Sequence, residues 1–233
     1  MSGKYSNEIP EDSIVCDSSS LLSLSDSCLL WIISGMIGRF TGRFIISKAV
    51  EYESAIRPLE MKSHTLGAIR VKKLLLDNVI KVVDTPNSKR LTSEILSLGN
   101  NLFYIAGQPL KLIHEGETET LAIAIDLGLK NVLIDERTTR MLIEAPLEMK
   151  AHMEMEFHRS VDMNERNLSQ FLDMTRNLNL FRSAELAVIG YEKGFFKDYG
   201  EMEKRAIESA LYGLKFAGCS ISFSEIEEFC KTL

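Results

Sequence analysis

The sequence has few cysteines and lacks the paired cysteines of a zinc module. Its four cysteines are widely spaced, with no CxxC pair, which is typical of free thiols in a reducing compartment. It also lacks a G-x-x-x-x-G-K-[ST] phosphate loop and a G-x-S-x-G nucleophile turn. These absences count against a zinc module, a phosphate-loop enzyme and a serine hydrolase of that type. The cysteines are Cys16, Cys28, Cys219 and Cys230.

Long hydrophobic runs are also lacking. The most apolar stretch, 21–37, is interrupted by Asp26 and by several serines, so we expect no membrane span. The N-terminal run MSGKYSNEIPEDS is polar and partly acidic, without the charged-then-apolar plan of a signal peptide. The sequence predicts a soluble cytoplasmic protein whose residues 1–12 form a flexible N-terminus.

Positive charge is not in excess: the formal net charge is −6. A protein that binds nucleic acid mainly by charge is usually basic, so this balance argues against a non-specific binder. It does not argue against an enzyme whose acidic site is neutralised by metal ions. With 233 residues, 45% of them hydrophobic, the chain can bury the core of one domain that carries an insertion.

Short apolar, β-branched runs alternate with segments of helical spacing. This order predicts an α/β fold of three layers, α/β/α, with a central parallel sheet of about five strands. Sites in such sheets form at the carboxyl ends of the strands, near a switch point in strand order. Strands are expected at 14–16, 44–46, 79–83 and 131–134. Helices are expected at 21–32, 48–56, 66–76, 91–98, 117–127, from residue 138 onward, at 185–193 and at 201–216. A last helix is expected to be capped by Ser222 or Ser224.

The stretch 147–180 differs in character, since residues 141–174 hold six of the ten methionines. Met149, Met153, Phe157 and Val161 recur at every fourth residue, which is typical of one helix face. We interpret 147–180 as a helical insertion in a single domain that spans 13–233. Its apolar face is expected to pack on the domain or form a dimer contact; a substrate clamp is the less favoured alternative.

Four carboxylates follow predicted strands or open predicted helices. Taken singly, Asp17 and Asp135 are as well explained as helix N-caps, and Glu53 and Glu117 as solvated helix residues. If the strands are parallel neighbours, all four converge on one edge of the sheet, where they require cations to stay ionised. Mg²⁺ or Mn²⁺ suits such an all-oxygen site, and two ions about 4 Å apart can promote phosphodiester cleavage.

The segments around these acids resemble the PIN domain family, in its longer prokaryotic nuclease members. VCDSSSLLSL is similar to that family's first strand with its Asp, and ISKAVEYES to its second strand and helix. GETETLAIA resembles the family's GE-x-E helix start, and NVLIDERTTR its segment with the fourth acid. The resemblance covers most of 13–144 and 180–233, where RSAELAVIGYEKGFF and LKFAGCSISFSEIEEF are also similar. Two departures are the insertion and Arg182-Ser183, where many relatives have Gly-Thr.

The resemblance implies a Mg²⁺- or Mn²⁺-dependent endoribonuclease with Asp17, Glu53, Glu117 and Asp135 as catalytic metal ligands. It implies an RNA substrate, a toxin role with an antitoxin partner or an RNA-processing role, and a homodimer. Ser18 or Ser19 would hydrogen-bond to Asp17, and Glu119 and Glu136 would lie near the ligands without binding the metal directly. Arg140 and Arg182 would either neutralise substrate phosphate or form salt bridges to site carboxylates.

Two other functions stay open. A PIN-like module without catalysis would bind RNA or a protein partner. A haloacid-dehalogenase-like phosphatase also has an Asp after its first strand, but its motif requires a second Asp where this chain has Ser19. The histidines offer no alternative metal site: His152 and His158 lie six residues apart, on different helix faces, and His114 is expected in a surface loop.

Overall fold

A computed structural model describes residues 9–233 of the protein. Its centre is a five-stranded parallel sheet in the order β3-β2-β1-β6-β8, with helices on both faces, which confirms the predicted α/β fold of three layers. Residues 1–8, and with them most of the predicted N-terminal segment 1–12, lie outside the described residues. The strands of the sheet are β1 (Ile14–Cys16), β2 (Phe44–Ile46), β3 (Ile80–Val82), β6 (Asn131–Leu133) and β8 (Asn179–Phe181).

Successive side chains of the central strands enter two separate hydrophobic cores. In β1, Ile14 and Cys16 pack into one core and Val15 into the other, on the opposite face of the sheet. In β2, Phe44 and Ile46 likewise face the first core and Ile45 the second. Both faces are apolar because helices cover both, which explains why these strands have continuous apolar runs rather than alternating polarity.

The helices fall into two groups according to the core that they cover. The first core is covered by α1, α2, α4, α10, α11 and α12, and the second by α5, α6, α7, α8 and α9. The helices are α1 (Ser18–Asp26), α2 (Trp31–Met36), α3 (Lys48–Glu51), α4 (Thr65–Leu76), α5 (Ser88–Gly99), α6 (Glu115–Leu127), α7 (Arg137–Glu144), α8 (Pro146–Phe157), α9 (Glu165–Thr175), α10 (Ser183–Glu192), α11 (Glu203–Phe216) and α12 (Phe223–Cys230).

The order of the strands reverses beside β1. The chain runs from β1 outward to β2 and β3, then returns to the other side of β1 as β6 and continues to β8. The carboxyl ends of β1 and β6 therefore flank the switch point, where connections leave the sheet in opposite directions. This is the position at which α/β sheets form their sites.

Two predicted helices are divided in the structure. The apolar face predicted over 21–32 belongs to α1 and α2, which are separated at Cys28, a residue with a positive φ of 57°. The helix predicted over 48–56 is α3 followed by a π-helical turn, Tyr52–Ile56, and then a 3₁₀ turn, Arg57–Glu60. Pro58 does not end the helical path at once, since it lies near the start of that 3₁₀ turn, where its missing N–H costs little.

The stretch 147–180 contains α8 and α9, but the two helices do not form a simple paired hairpin. Helix α8 packs beside α7, whereas α9 packs against α5 and α6. Between them β7 (Asp162–Met163) joins β4 (Phe103–Ile105) and β5 (Gln108–Pro109) in a small antiparallel sheet that the sequence did not predict. Helix α8 ends at Phe157, so Val161 lies beyond it, but Val161 is buried in the same core as Met149 and Met153.

No helix within residues 9–233 combines the length and the apolar character that a membrane crossing requires.

Candidate functional site

Asp17 and Asp135 lie at the switch point of the sheet. Asp17 directly follows β1, Asp135 follows β6 after Ile134, and both carboxyl groups are buried, each residue being 1% exposed. Ser19 joins them: its hydroxyl donates to Asp17 Oδ2 over 2.6 Å and accepts from the backbone N–H of Asp135 over 3.2 Å. The structure therefore brings together two of the four predicted acids through one serine.

Asp17 is the N-cap of α1, one of the two interpretations that the sequence left open, since its Oδ2 accepts from the N–H of Ser19 over 3.1 Å. Its Oδ1 is buried and has no hydrogen-bond partner within the described structure. Burial raises the pKa of Asp17 to about 6, the Ser19 hydrogen bonds oppose that rise, and the nearby charge of Glu117 adds to it. A role of Asp17 in metal binding stays a prediction.

Asp135 is held by the first residue of α10. Its Oδ1 accepts from the N–H of Ser183 over 2.7 Å, and its Oδ2 accepts from the Ser183 hydroxyl over 2.6 Å. These two bonds fix the orientation of the carboxylate and place it at the helix N-terminus, where the partial positive charge of the backbone favours an anion.

Glu53 lies in the π-helical turn that follows α3, a kind of turn that often occurs at functional sites. Its Oε2 accepts from the Ser18 hydroxyl over 2.7 Å. Its carboxylate also lies against Gly116, in the first turn of α6: a Cβ at that position would be 3.0 Å from Glu53 Oε1. The glycine leaves room for this close approach, which brings Glu53 to the start of α6.

Glu117, in the first turn of α6, accepts from the backbone N–H of His114 over 3.0 Å. This bond is one half of a capping box, which is a sufficient structural reason for a Glu at this position. Burial is the main cause that raises the pKa of Glu117, and the charge of Glu136 adds to the effect. The charge of Glu117 in turn raises the pKa of Asp17.

The four acids thus lie around one edge of the sheet, where hydroxyl and backbone N–H groups hold them. None of them forms an ion pair with a Lys, Arg or His side chain of residues 9–233. As placed, however, no set of three or more His, Cys, Asp or Glu side chains in that range is close enough to hold a metal ion together. The links that the structure shows are Asp17 with Asp135 through Ser19, and Glu53 with Ser18 and the start of α6.

The other predicted acids have different surroundings. Glu136 is the N-cap of α7, where its oxygens accept from the N–H groups of Thr138 and Thr139 over 2.8 Å and 2.6 Å. The pKa of Glu119 is raised, first by burial and then by the neighbouring charges of Asp84, Glu115 and Glu53. Both residues therefore add negative potential near the predicted ligands.

The two predicted arginines form ion pairs with acids outside the predicted ligand set. Arg140 pairs with Glu144 over 3.1 Å. Arg182 pairs with Glu185 and, over 2.8 Å, with Glu225. Both arginines thus form salt bridges, but not to the site carboxylates that the sequence analysis named, and their contact with a substrate phosphate stays a prediction. Burial alone would raise the pKa of Glu225, but the hydrogen bonds from Arg182 and Ser222 lower it to about 2.

An open cleft lies beside Asp135, between the start of α7 and the loop that joins α11 to α12. It gives a molecule from solvent a path to Ser19 and Asp135. Two cations, Arg137 and Lys215, line it together with the acids. The full lining is Ser19, Asp135, Glu136, Arg137, Lys215, Gly218, Cys219, Ser220, Ser222 and Glu225.

Two residues of the site were not assigned their roles from the sequence. Ser183 was noted only as a departure from the family pattern, and Gly116 only as part of the GETE run. The signal for Ser183 was weak, since strand β8 before it was not predicted and the Asp135 that it holds lies 48 residues earlier in the sequence. Gly116 offered no local signal, since its partner Glu53 lies 63 residues earlier in the sequence.

Compared with known proteins, the chain matches no family model, no curated protein and no solved structure. The resemblance to the PIN domain family therefore remains a prediction that depends on the segments around the four acids.

Proposed function

We propose that this chain is a divalent-metal-dependent endoribonuclease that hydrolyses RNA phosphodiester bonds at the edge formed by Asp17, Glu53, Glu117 and Asp135. One observation carries the proposal. Four carboxylates surround the switch point of the sheet without a cationic partner in the described chain, and a buried oxygen of one of them, Asp17 Oδ1, has no hydrogen-bond partner.

The electrostatics support a cation at this edge. An ionised carboxylate that is buried without a counter-charge is unfavourable, which is why the pKa of Asp17 is raised. The negative charge of Glu117 also raises the pKa of Asp17. A bound divalent ion would reverse both effects.

The donor set suits a hard cation. Carboxylate oxygens are the ligands that Mg²⁺ and Mn²⁺ prefer, and Asp17 Oδ1, Glu117 and the carboxylates of Glu53 and Asp135 would hold the ion directly or through water. When bound at such a site, the ion polarises the phosphate and lowers the pKa of the attacking water. The protein's own contribution is orientation: Ser19 and Ser183 fix the two buried carboxylates, and Asp135 lines the cleft by which a phosphodiester would approach.

The test is cleavage of RNA with added Mn²⁺ by the parent, by Asp17→Asn and by Asp135→Asn. Loss of an outer hydrogen-bond partner of a metal ligand commonly costs about 10–100-fold, so loss of a ligand charge should cost at least about 100-fold. Asp26→Asn is the matched control, because Asp26 is exposed at the end of α1 and should leave cleavage unchanged. EDTA should abolish cleavage by the parent.

Equal cleavage by the parent and both site variants would contradict the proposal. RNA binding without metal-dependent cleavage would favour the non-catalytic module instead. Turnover of a small phosphate ester with no action on RNA would favour the phosphatase. Each outcome is read from the same protein preparations, with the Asp26→Asn protein as the reference for folding.

A further inference from the structure

A group of aromatic rings stands on the surface where α11 ends and α12 begins. We call Tyr212, Phe216 and Phe223 the aromatic surface. Phe216 is 77% exposed and Phe223 is 47% exposed, whereas large apolar side chains are normally covered. The rings of Phe216 and Phe223 have centroids 6.0 Å apart, and those of Tyr212 and Phe223 are 6.1 Å apart. The aromatic surface therefore presents adjacent ring faces and edges to solvent.

The aromatic surface is continuous with the cleft beside Asp135. Lys215 lies between the two: it lines the cleft, and its Nζ is 5.6 Å from the centroid of the Phe223 ring. Ser222, which directly precedes Phe223 and caps α12, lines the cleft as well. A chain molecule bound in the cleft can therefore extend over the neighbouring rings.

The lining of the cleft carries two cations, Lys215 and Arg137, beside three acids, of which Glu225 is already paired with Arg182. Lys215 and Arg137 both line the cleft, and neither is in an ion pair within the part of the chain that the structure describes. The arginine nearby, Arg182, is by contrast held by two acids. Lys215 and Arg137 are thus the cations that remain for backbone phosphates, while the rings offer π-faces to the bases.

We propose that the aromatic surface binds unpaired bases of a single-stranded RNA, with Lys215 on the backbone phosphate that leads into the cleft. This inference rests on the proposed function, because the proposed cleavage site at Asp135 defines the direction in which the bound RNA would run. Bases of a single strand can splay out and stack on Phe216 and Phe223, whereas the base faces of a duplex are already covered. An apolar protein partner would not require a π-face or a free lysine.

The experiment measures the affinity for a fluorescent single-stranded RNA by anisotropy in EDTA and low salt, so that cleavage does not enter. Phe216→Leu keeps an apolar side chain but removes the ring, and Phe216→Trp restores a larger one. We expect Phe216→Leu to bind at least about 5-fold more weakly and Phe216→Trp to bind like the parent. Phe157→Leu, at a ring 46% exposed on α8 and outside the cleft lining, is the matched control and should bind like the parent.

A second arm separates the rings from the lysine. Lys215→Gln should reduce the slope of log affinity against log salt by about 0.7, the value for one phosphate contact to a single strand, while Phe216→Leu should leave the slope unchanged. The same proteins are tested against a duplex of the same sequence, for which the loss caused by Phe216→Leu should disappear.

The inference is overturned if the parent does not bind the single strand, or if Phe216→Leu binds as tightly as the parent. It is also overturned if light scattering shows that Phe216→Leu changes the oligomeric state, because a second copy of the chain then covers the rings. Cleavage with Mn²⁺ is scored separately. If the variants lose RNA affinity as expected but the parent does not cleave RNA, the nuclease proposal alone is contradicted. If the parent cleaves RNA and substitution of Phe216 or Lys215 does not change the cleavage rate, the binding surface alone is contradicted.

Discussion

Replacing Asp17 by asparagine should make the folded protein more stable near neutral pH when divalent metal is removed. Asparagine is as good an N-cap as aspartate, so α1 should still begin at the same residue. The side-chain oxygen of the asparagine should still accept the hydrogen bonds that Ser19 donates. What the substitution removes is a negative charge that is buried beside Glu117 without a cationic partner. Substitutions of buried residues usually destabilise, so a gain here would be a specific consequence of this environment.

The size of the effect follows from the pKa of Asp17, which burial raises from an ordinary 3.8 to about 6. At about 1.4 kcal/mol for each pKa unit, this difference corresponds to about 3 kcal/mol of stability lost by ionisation in the folded state. In a protein of this length, about 3 kcal/mol changes the melting temperature by roughly 6–12 °C.

The direction of the pKa shift of Asp17 determines how the stability of the protein changes with pH. The folded carboxyl group binds its proton more tightly than the unfolded one, so below about pH 4 both are protonated and nothing is lost. As the pH rises from 3.8 through about 6, the unfolded state ionises first and the protein loses stability. The advantage of Asp17→Asn should therefore be largest above about pH 6 and vanish near pH 4.

The assay is urea unfolding of the parent, Asp17→Asn and the exposed control Asp26→Asn, in EDTA, at several pH values. Mn²⁺ should then raise the stability of the parent more than that of Asp17→Asn, because only the parent keeps the charge that the ion would neutralise. The reasoning fails if Asp17→Asn is less stable than the parent near neutral pH in EDTA, or if its advantage does not depend on pH.

Two further predictions concern single side chains. Ser183→Ala removes the hydroxyl donor to Asp135 Oδ2 and should lower metal-dependent cleavage by about 10–100-fold. In urea unfolding, the same substitution should lower the free energy of unfolding by about 1–3 kcal/mol. Unchanged cleavage would mean that this hydrogen bond does not orient the site. Met153→Ala, at a residue 2% exposed, should cost about 2–5 kcal/mol, whereas Met155→Ala, 67% exposed two residues later, should change stability by less than about 0.5 kcal/mol; similar losses for both would contradict the packing of α8 on the core.

The strands near the switch point could be predicted from the sequence because their signals are local. Both β1 and β2 are short apolar runs that end at a residue with a capping side chain, Asp17 and Ser47, and the structure begins a helix directly after each. Since helices cover both faces of the sheet, the apolar run is complete in each strand and its limits are sharp.

The elements that the sequence did not predict depend on partners far along the chain. Strand β8 has the polar Asn179 at its start and is only partly buried, so its conformation follows from pairing with β6 rather than from its own residues. The small sheet joins β4 to β7 across about 60 residues. The residues of β4, Phe-Tyr-Ile, are all typical of strands, but its partner β7 is only Asp-Met, which does not indicate a strand.

For the site, the sequence indicated the acids better than their supports. The run of serines after Asp17 left open whether Ser18 or Ser19 would assist it. The helix start decides the matter, because an N-cap carboxylate meets the second helical residue, Ser19, while Ser18 faces Glu53. The pairing of Arg182 with Glu225 spans 43 residues and had no comparable local signal.

Arg182 adjoins the serine that holds Asp135, yet its guanidinium pairs with Glu185 and Glu225 rather than with the buried acid. The donors to Asp17 and Asp135 are hydroxyl and backbone N–H groups, which orient a carboxylate without cancelling its charge. Burial without a counter-charge raises the pKa of Asp17, so its ionised form costs stability. That cost at Asp17 is the reason to propose a ligand of opposite charge at this edge of the sheet.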